Sequence, residues 1–325
     1  MIKHKLLHLN LLNKLKSRIP LNSELVTKLI DILSLEKMAV YRRLRQEVPF
    51  TFEEIIILAK EFNISLDSML GVDSRTTLPF RYQSSGGDDQ SPVEINYLLL
   101  QDYVQATREV ASNPQGEISL VTNMLPQPLY TGFDSIFRFY YFKWRYYSIP
   151  AEHTKSYHEI KLPEKLIQIA RDTFENVKNA AESHYILDNQ VFQKIVNDIS
   201  YFHSIRLIRD EDIHLIKEEL FQFIDYMEGV ATKGFVDNPS KEVCFYISDT
   251  SIESSYCYIG SPPTLRFALI WSFIFNSIVT FDEESLEIMK HWIRSKIRTS
   301  TLLSVTGEKN RTQYFDTQRR CVVQL

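Results

Sequence analysis

The segment with the densest chemistry is SLEKMAVYRRLRQE, residues 34–47, where Arg42, Arg43 and Arg45 follow Lys37 and Tyr41. An arginine fork donates paired N–H groups to guanine O6/N7 or to phosphate, and lysine adds a point charge. In a helix, spacing decides what these groups face. With Leu35, Val40 and Leu44 directed inward, Lys37, Tyr41, Arg45, Met38 and Arg42 lie between about 60° and 200° from Val40. A helix carrying that arc fits the DNA major groove. The same run of cations also describes an ordinary solvated helix face, so the elements around it have to decide.

Those elements read as a short all-α head. Leu25, Leu29, Ile30 and Leu33 recur at helical spacing after Asn22 and Ser23, two candidate caps. Ser34 is placed to cap a second helix over residues 35–45. Pro49 ends a turn, and Thr51-Phe-Glu-Glu54 has the spacing of a capping box ahead of Ile55, Leu58, Ala59 and Phe62. Residues 66–70 begin one more turn. Residues 1–70 hold 11 Lys/Arg against 8 Asp/Glu, a net charge of +3, and the remainder holds 26 against 33, a net of −7. A mildly basic head is joined to an acidic body. Lys3, Lys5, Lys14, Lys16 and Arg18 precede any acidic residue; they suit either phosphate contacts or a solvated helix face.

Residues 25–70, LVTKLIDILSLEKMAVYRRLRQEVPFTFEEIIILAKEFNISLDSML, resemble the λ-repressor/Cro-like (XRE) helix-turn-helix family, and within it the BetR-type bacterial DNA-binding domains. VYRRLRQEVPFT occupies the recognition-helix and following-turn positions, and AKEFNISLDSML is similar to the last helical segments. The resemblance implies that Lys37, Tyr41, Arg42 and Arg45 face bases, with Lys28 and Arg43 placed for phosphate. The long first helix and the Gln that opens the next are not obvious, so residues 1–22 are expected to supply the first helix in altered form. Residues 281–319 are similar to tails of other bacterial regulators with this head, a likeness that adds no chemistry.

Beyond the head, residues 71–92 (GVDSRTTLPFRYQSSGGDDQSP) read as an exposed linker. The expected organisation is a helix-turn-helix domain at 1–71, a linker at 72–92, and a regulatory or oligomerisation region at 93–325. That region divides into a helical part, 93–232, and an α+β unit, 240–325. The expected fold class is therefore multidomain α and α+β, with about three strands. Residues 93–110 read as a helix and 118–121 as a short strand. Long amphipathic patterns follow at Leu166–Ile169–Ala170, Phe192–Ile195–Val196–Ile199 and Ile213–Ile216–Leu220–Phe223–Ile224. Residues 243–247 and 256–259 read as strands joined by a turn at 251–254, and 267–279 as a third, buried strand. Helices are expected over 285–297 and 308–319.

Composition narrows the classes. Apolar residues make up 44% and charged residues 24%, and the net charge of −4 argues against a protein coated in positive charge. Cys244, Cys257 and Cys321 form no CxxC pair, so reduced thiols in a cytoplasmic protein are expected. His8, Asn10 and Asn13 interrupt the N-terminal leucines, which argues against a signal peptide. The longest apolar stretch covers 15 residues, 267–281, against about 20 for a bilayer, so no membrane partner is expected. The eight histidines, Glu152-His153 and Tyr157-His158 included, show no metal spacing. Neither GxSxG nor GxxxxGK[ST] is present around Ser300, Ser304 and Gly307, so neither an enzyme nor a cofactor is expected. The aromatic run 133–147, which interleaves Arg138, Lys143 and Arg145, could stack bases but reads better as a buried element.

The sequence thus points to a bacterial transcriptional regulator that binds double-stranded DNA, with a homodimer and an unidentified small-molecule or protein effector as further partners. The long helices at 162–230 fit either a dimer surface or an intramolecular bundle. The alternative is a docking module whose basic head meets an acidic protein and binds no DNA.

Overall fold

A computed structural model describes residues 8, 11–16, 19, 21–62, 64, 81–83, 103–148, 155–272 and 274–325. The chain forms two compact units, residues 1–79 and 80–325. In the first, α1 (11–16), α2 (Asn22–Leu33), α3 (Lys37–Leu44) and α4 (Phe52–Glu61) are helical, and no strand occurs among its described residues. Leu11, Leu15, Leu25, Leu29, Val40, Phe50, Leu58 and Phe62 form its core, so each helix turns one apolar stripe inward. The expected turn at 66–70 lies outside the described residues, as do Lys3, Lys5 and Arg18.

Two caps differ from expectation. The N-cap of α2 is Leu21, without a side-chain cap bond, and Asn22 and Ser23 already lie in the first turn. Ser34 does not cap α3; it takes the left-handed conformation (φ 52°, ψ 39°) that ends α2, and Glu36 is the N-cap of α3. Both shifts follow from a turn of three residues, Ser34 to Glu36, which needs its left-handed residue first. The Thr51 capping box forms as expected: Glu54 N–H donates to Thr51 Oγ1 at 3.2 Å, and Thr51 N–H to Glu54 Oε2 at 2.9 Å.

The second unit is built on an eight-stranded mixed sheet in the order β1-β7-β6-β5-β2-β3-β4-β8. Its strands are β1 (Arg81–Gln83), β2 (Glu117–Thr122), β3 (Glu182–Leu187), β4 (Glu242–Ser248), β5 (Tyr256–Ser261), β6 (Leu265–Ser272), β7 (Asn276–Thr280) and β8 (Ser300–Leu302). Neighbours β2, β3 and β4 are parallel and the remaining pairs antiparallel. Parallel neighbours need long crossovers. The first runs through α6 (Gln127–Tyr130), α7 (Asp134–Ser148) and α8 (Glu164–Val177), the second through α9 (Val191–Ser204) and α10 (Asp210–Lys233). A helix over 103–112, α5, precedes β2. The helix α11 (Glu283–Arg298) covers the opposite face through Leu286, Met289 and Ile293, and α12 (Glu308–Val323) packs on α9 and α10.

This architecture corrects the expected division into a helical part and an α+β unit with about three strands. Strand β2 forms where a short strand was expected, at 118–121, but it and the unexpected β3 lie within the part expected to be helical and pair between β5 and β4 in one sheet. Segment 251–254 is no hairpin turn, because β4 and β5 are separated by β2 and β3. Segment 267–279 is no single strand either: Ile274 takes φ 74° and the chain reverses, pairing Ser272 with Asn276. Within the expected linker, Arg81–Gln83 is an edge strand on β7, and residues 71–80 and 84–102 lie outside the described residues. The aromatic run forms α7, which buries Phe137, Phe139, Phe142 and Trp144 in the main core.

Candidate nucleic-acid interface

The α3 segment is held by both of its ends. At its start, the three-residue turn after α2 sets α3 across the first helix, the connection of a helix-turn-helix. At its end, Glu47 N–H donates to Arg42 O at 2.9 Å and Gln46 N–H to Arg43 O at 3.0 Å, with Gln46 at φ 63°. That is a Schellman closure, with a glutamine where glycine is the usual occupant. Fully buried Val40 anchors the middle against the head core.

This geometry sorts the six expected contact residues. Lys37, Arg42 and Arg45 are exposed and Tyr41 is half-buried, with Met38 exposed among them, so the arc expected from spacing is uncovered within the head. Glu47 lies 3.8 Å from Arg42 Nε and 3.5 Å from Arg45 Nη1. All three side chains are about half exposed, where such pairs contribute about 0–1 kcal/mol and a phosphate can displace the carboxylate. The Arg45 guanidinium also sits 5.7 Å from the centre of the Tyr41 ring, which limits the swing of both. On α2, Lys28 is half exposed, 3.9 Å from Glu61 and 5.5 Å from the Phe62 ring centre.

Arg43 departs from its expected role. Its side chain is only 13% exposed and forms a fork on Glu54, with Nε to Oε2 at 2.8 Å and Nη2 to Oε1 at 2.6 Å. Nη1 donates further to Ala39 O at 3.3 Å. Every arm of the guanidinium is committed within the head, so Arg43 ties α3 to α4 and is not free to reach a phosphate. The helical wheel contained the signal: Arg43 falls about 60° from Val40, beside the inward face.

Two further residues were not singled out as site residues. His8 is buried, accepts from Phe50 N–H at Nδ1 (3.4 Å) and meets Arg43 O through Nε2 at 3.0 Å. Its ring stacks on Phe50 with centres 5.2 Å apart. His8, ahead of α1, therefore clamps the C-terminal end of α3, a contact across 35 residues that no local pattern announces. Glu54 was legible as a capping-box member but not as the partner of Arg43.

Residues 6–94 match the BetR domain. That family is of the helix-turn-helix, DNA-binding type, and the match supports a DNA-binding, regulatory role for the head. No curated protein and no solved structure matches the chain.

Elsewhere, the other sequence candidates have structural roles. Ser304 Oγ is buried, accepting from Phe245 N–H at 2.8 Å and bonded to Val243 O at 3.3 Å. The Arg138 guanidinium lies 4.5 Å over the Tyr157 ring, and Lys143 pairs with Asp198. His153 lies outside the described residues. No group of three or more His, Cys, Asp or Glu able to hold a metal occurs among the described residues. None of the described helices is long and apolar enough to cross a membrane.

Proposed function

We propose that this chain is a bacterial, cytoplasmic transcriptional regulator of the XRE-like type. Its head reads duplex DNA by laying α3 in the major groove. Lys37, Tyr41, Arg42 and Arg45 face base edges and Lys28 a phosphate, while Arg43 keeps the helix in place. The observation that carries the reading is the uncovered cationic arc of α3 on a head that matches the BetR domain. One helix reads only a few base pairs, so the regulator works as a dimer on two half-sites. The body supplies self-association and sensing.

Fluorescence anisotropy with random-sequence duplex at several salt concentrations tests the reading. Four to eight phosphate contacts give a log–log slope of about −4 to −7. Arg42→Ala and Arg45→Ala each weaken binding by about tenfold while the melting temperature stays within about 2 °C, because both side chains are more than half exposed. No binding to any duplex at low salt would place the head among protein-docking modules instead.

A further inference from the structure

The body contains a cavity of about 220 Å³ between α5 and the β6–β7 hairpin. Its floor follows from strand alternation. Leu265, Phe267, Leu269 and Trp271 occupy every second position of β6, and Ser277 and Val279 do so on β7. Tyr103, Ala106 and Glu109, one helical turn apart, form the wall contributed by α5. Phe275, from the turn between the strands, and Phe281, after β7, close the sides.

Burial is graded across this lining. Phe267, Leu269, Phe275 and Val279 are buried, whereas Tyr103, Glu109, Leu265, Trp271 and Phe281 are half-buried, so the cavity has a deep apolar end and an accessible mouth. The volume exceeds the roughly 150 Å³ known to admit a benzene ring. Five of the lining residues are aromatic, and Phe267 and Phe281 place their ring centres 5.8 Å apart.

The charge of the wall narrows the occupant. Among the described residues lining the cavity there is no Lys or Arg, and Glu109 is the one charged side chain. Its carboxylate has no ion-pair partner among the described residues; the bonds recorded at Glu109, from Ser112 and Ser261, go to its backbone carbonyl. Electron-rich ring faces beside a single carboxylate favour a cation and repel an anion.

From this we infer that the cavity is a binding site for a small organic cation: an apolar body of one ring, bearing a protonated amine that pairs with Glu109. The site belongs to the body alone and does not depend on the DNA reading of the head. Its binding can therefore be measured whether or not the head binds duplex.

The test uses the full chain and three probes of nearly equal shape: 2-phenylethylamine, 2-phenylethanol and phenylacetate. Trp271 in the wall reports occupancy through its fluorescence, checked by calorimetry. For so small a ligand the expected Kd of the amine is about 1 mM, with the alcohol at least about tenfold weaker and the carboxylate not binding up to about 20 mM. Glu109→Gln, at a half-buried position where a change of charge leaves the fold intact, brings the amine to the affinity of the alcohol. Ala106→Leu fills part of the cavity and weakens both. Equal affinity for amine and carboxylate, or an amine preference that survives Glu109→Gln, overturns the assignment. So does no binding by any of the three probes.

Discussion

Replacing Arg43 by alanine separates a residue that holds α3 in place from those proposed to face DNA. The substitution removes two short bonds to Glu54, at 2.8 and 2.6 Å, and a third to Ala39 O. It leaves the Glu54 carboxylate 13% exposed and supported only by Thr51 N–H. Breaking one side of a fully buried pair costs about 3–5 kcal/mol, and losing one hydrogen bond to a charged group about 1.5–3 kcal/mol. A pair at this depth lies between these cases, so about 2–4 kcal/mol is expected. That corresponds to roughly 30- to 700-fold faster hydrogen exchange at the slowest amides of α3 and α4. Exchange mass spectrometry on the full chain measures this directly, with the amides of β2 and β3 as an internal reference that should not change. Arg43→Met combined with Glu54→Gln removes both charges, keeps a capping side chain, and should recover most of the protection. The reasoning fails if Arg43→Ala leaves exchange in α3 and α4 unaltered yet weakens duplex binding as much as Arg42→Ala does. Arg43 would then be a phosphate contact.

Three other expectations follow from neighbouring details. Glu47→Gln withdraws the carboxylate near Arg42 and Arg45, so duplex affinity should rise about two- to tenfold at low salt; unchanged or weaker binding in anisotropy would place those arginines away from DNA. Gln46→Gly relieves a left-handed position at the end of α3 and should stabilise the head by about 0.5–1 kcal/mol in urea unfolding, whereas a loss of stability would contradict the Schellman geometry. Burial, and then the hydrogen bond to Glu242, push the Cys244 thiol up to about 11. Because the thiolate is the reactive form, alkylation at pH 8 should run about 100-fold slower than for a thiol of ordinary pKa and keep climbing to about pH 11; a plateau near pH 9 would rule out that environment.

The head and the body differ in how far they could be read from residues alone. In the head, three helices and the Thr51–Glu54 box were legible, because caps and apolar stripes act within four residues of one another. The left-handed residues at Ser34 and Gln46 were not, since neither is the glycine that marks such positions. In the body, ESHYIL at 182–187 lies in the part expected to be helical and is an interior strand between β2 and β4, with Tyr185 and Leu187 on one face and Ile186 on the other. A six-residue strand buried on both faces loses the polar–apolar alternation that identifies its exposed counterpart.

By itself the sequence determined that the head holds helices about 25–33, 35–45 and 52–62, to within a few residues at their ends, and which side of α3 carries its cations. Both depend on spacing within one or two turns. Only the tertiary structure decided that Arg43 belongs to Glu54, that His8 grips the end of α3, that β2 and β3 separate β4 from β5, and that α5 meets β6 and β7 around a cavity. Each of those joins residues from distant parts of the chain. A pairing of that kind is chosen by which surfaces the folded layers bring together, and the local order of side chains carries no record of it.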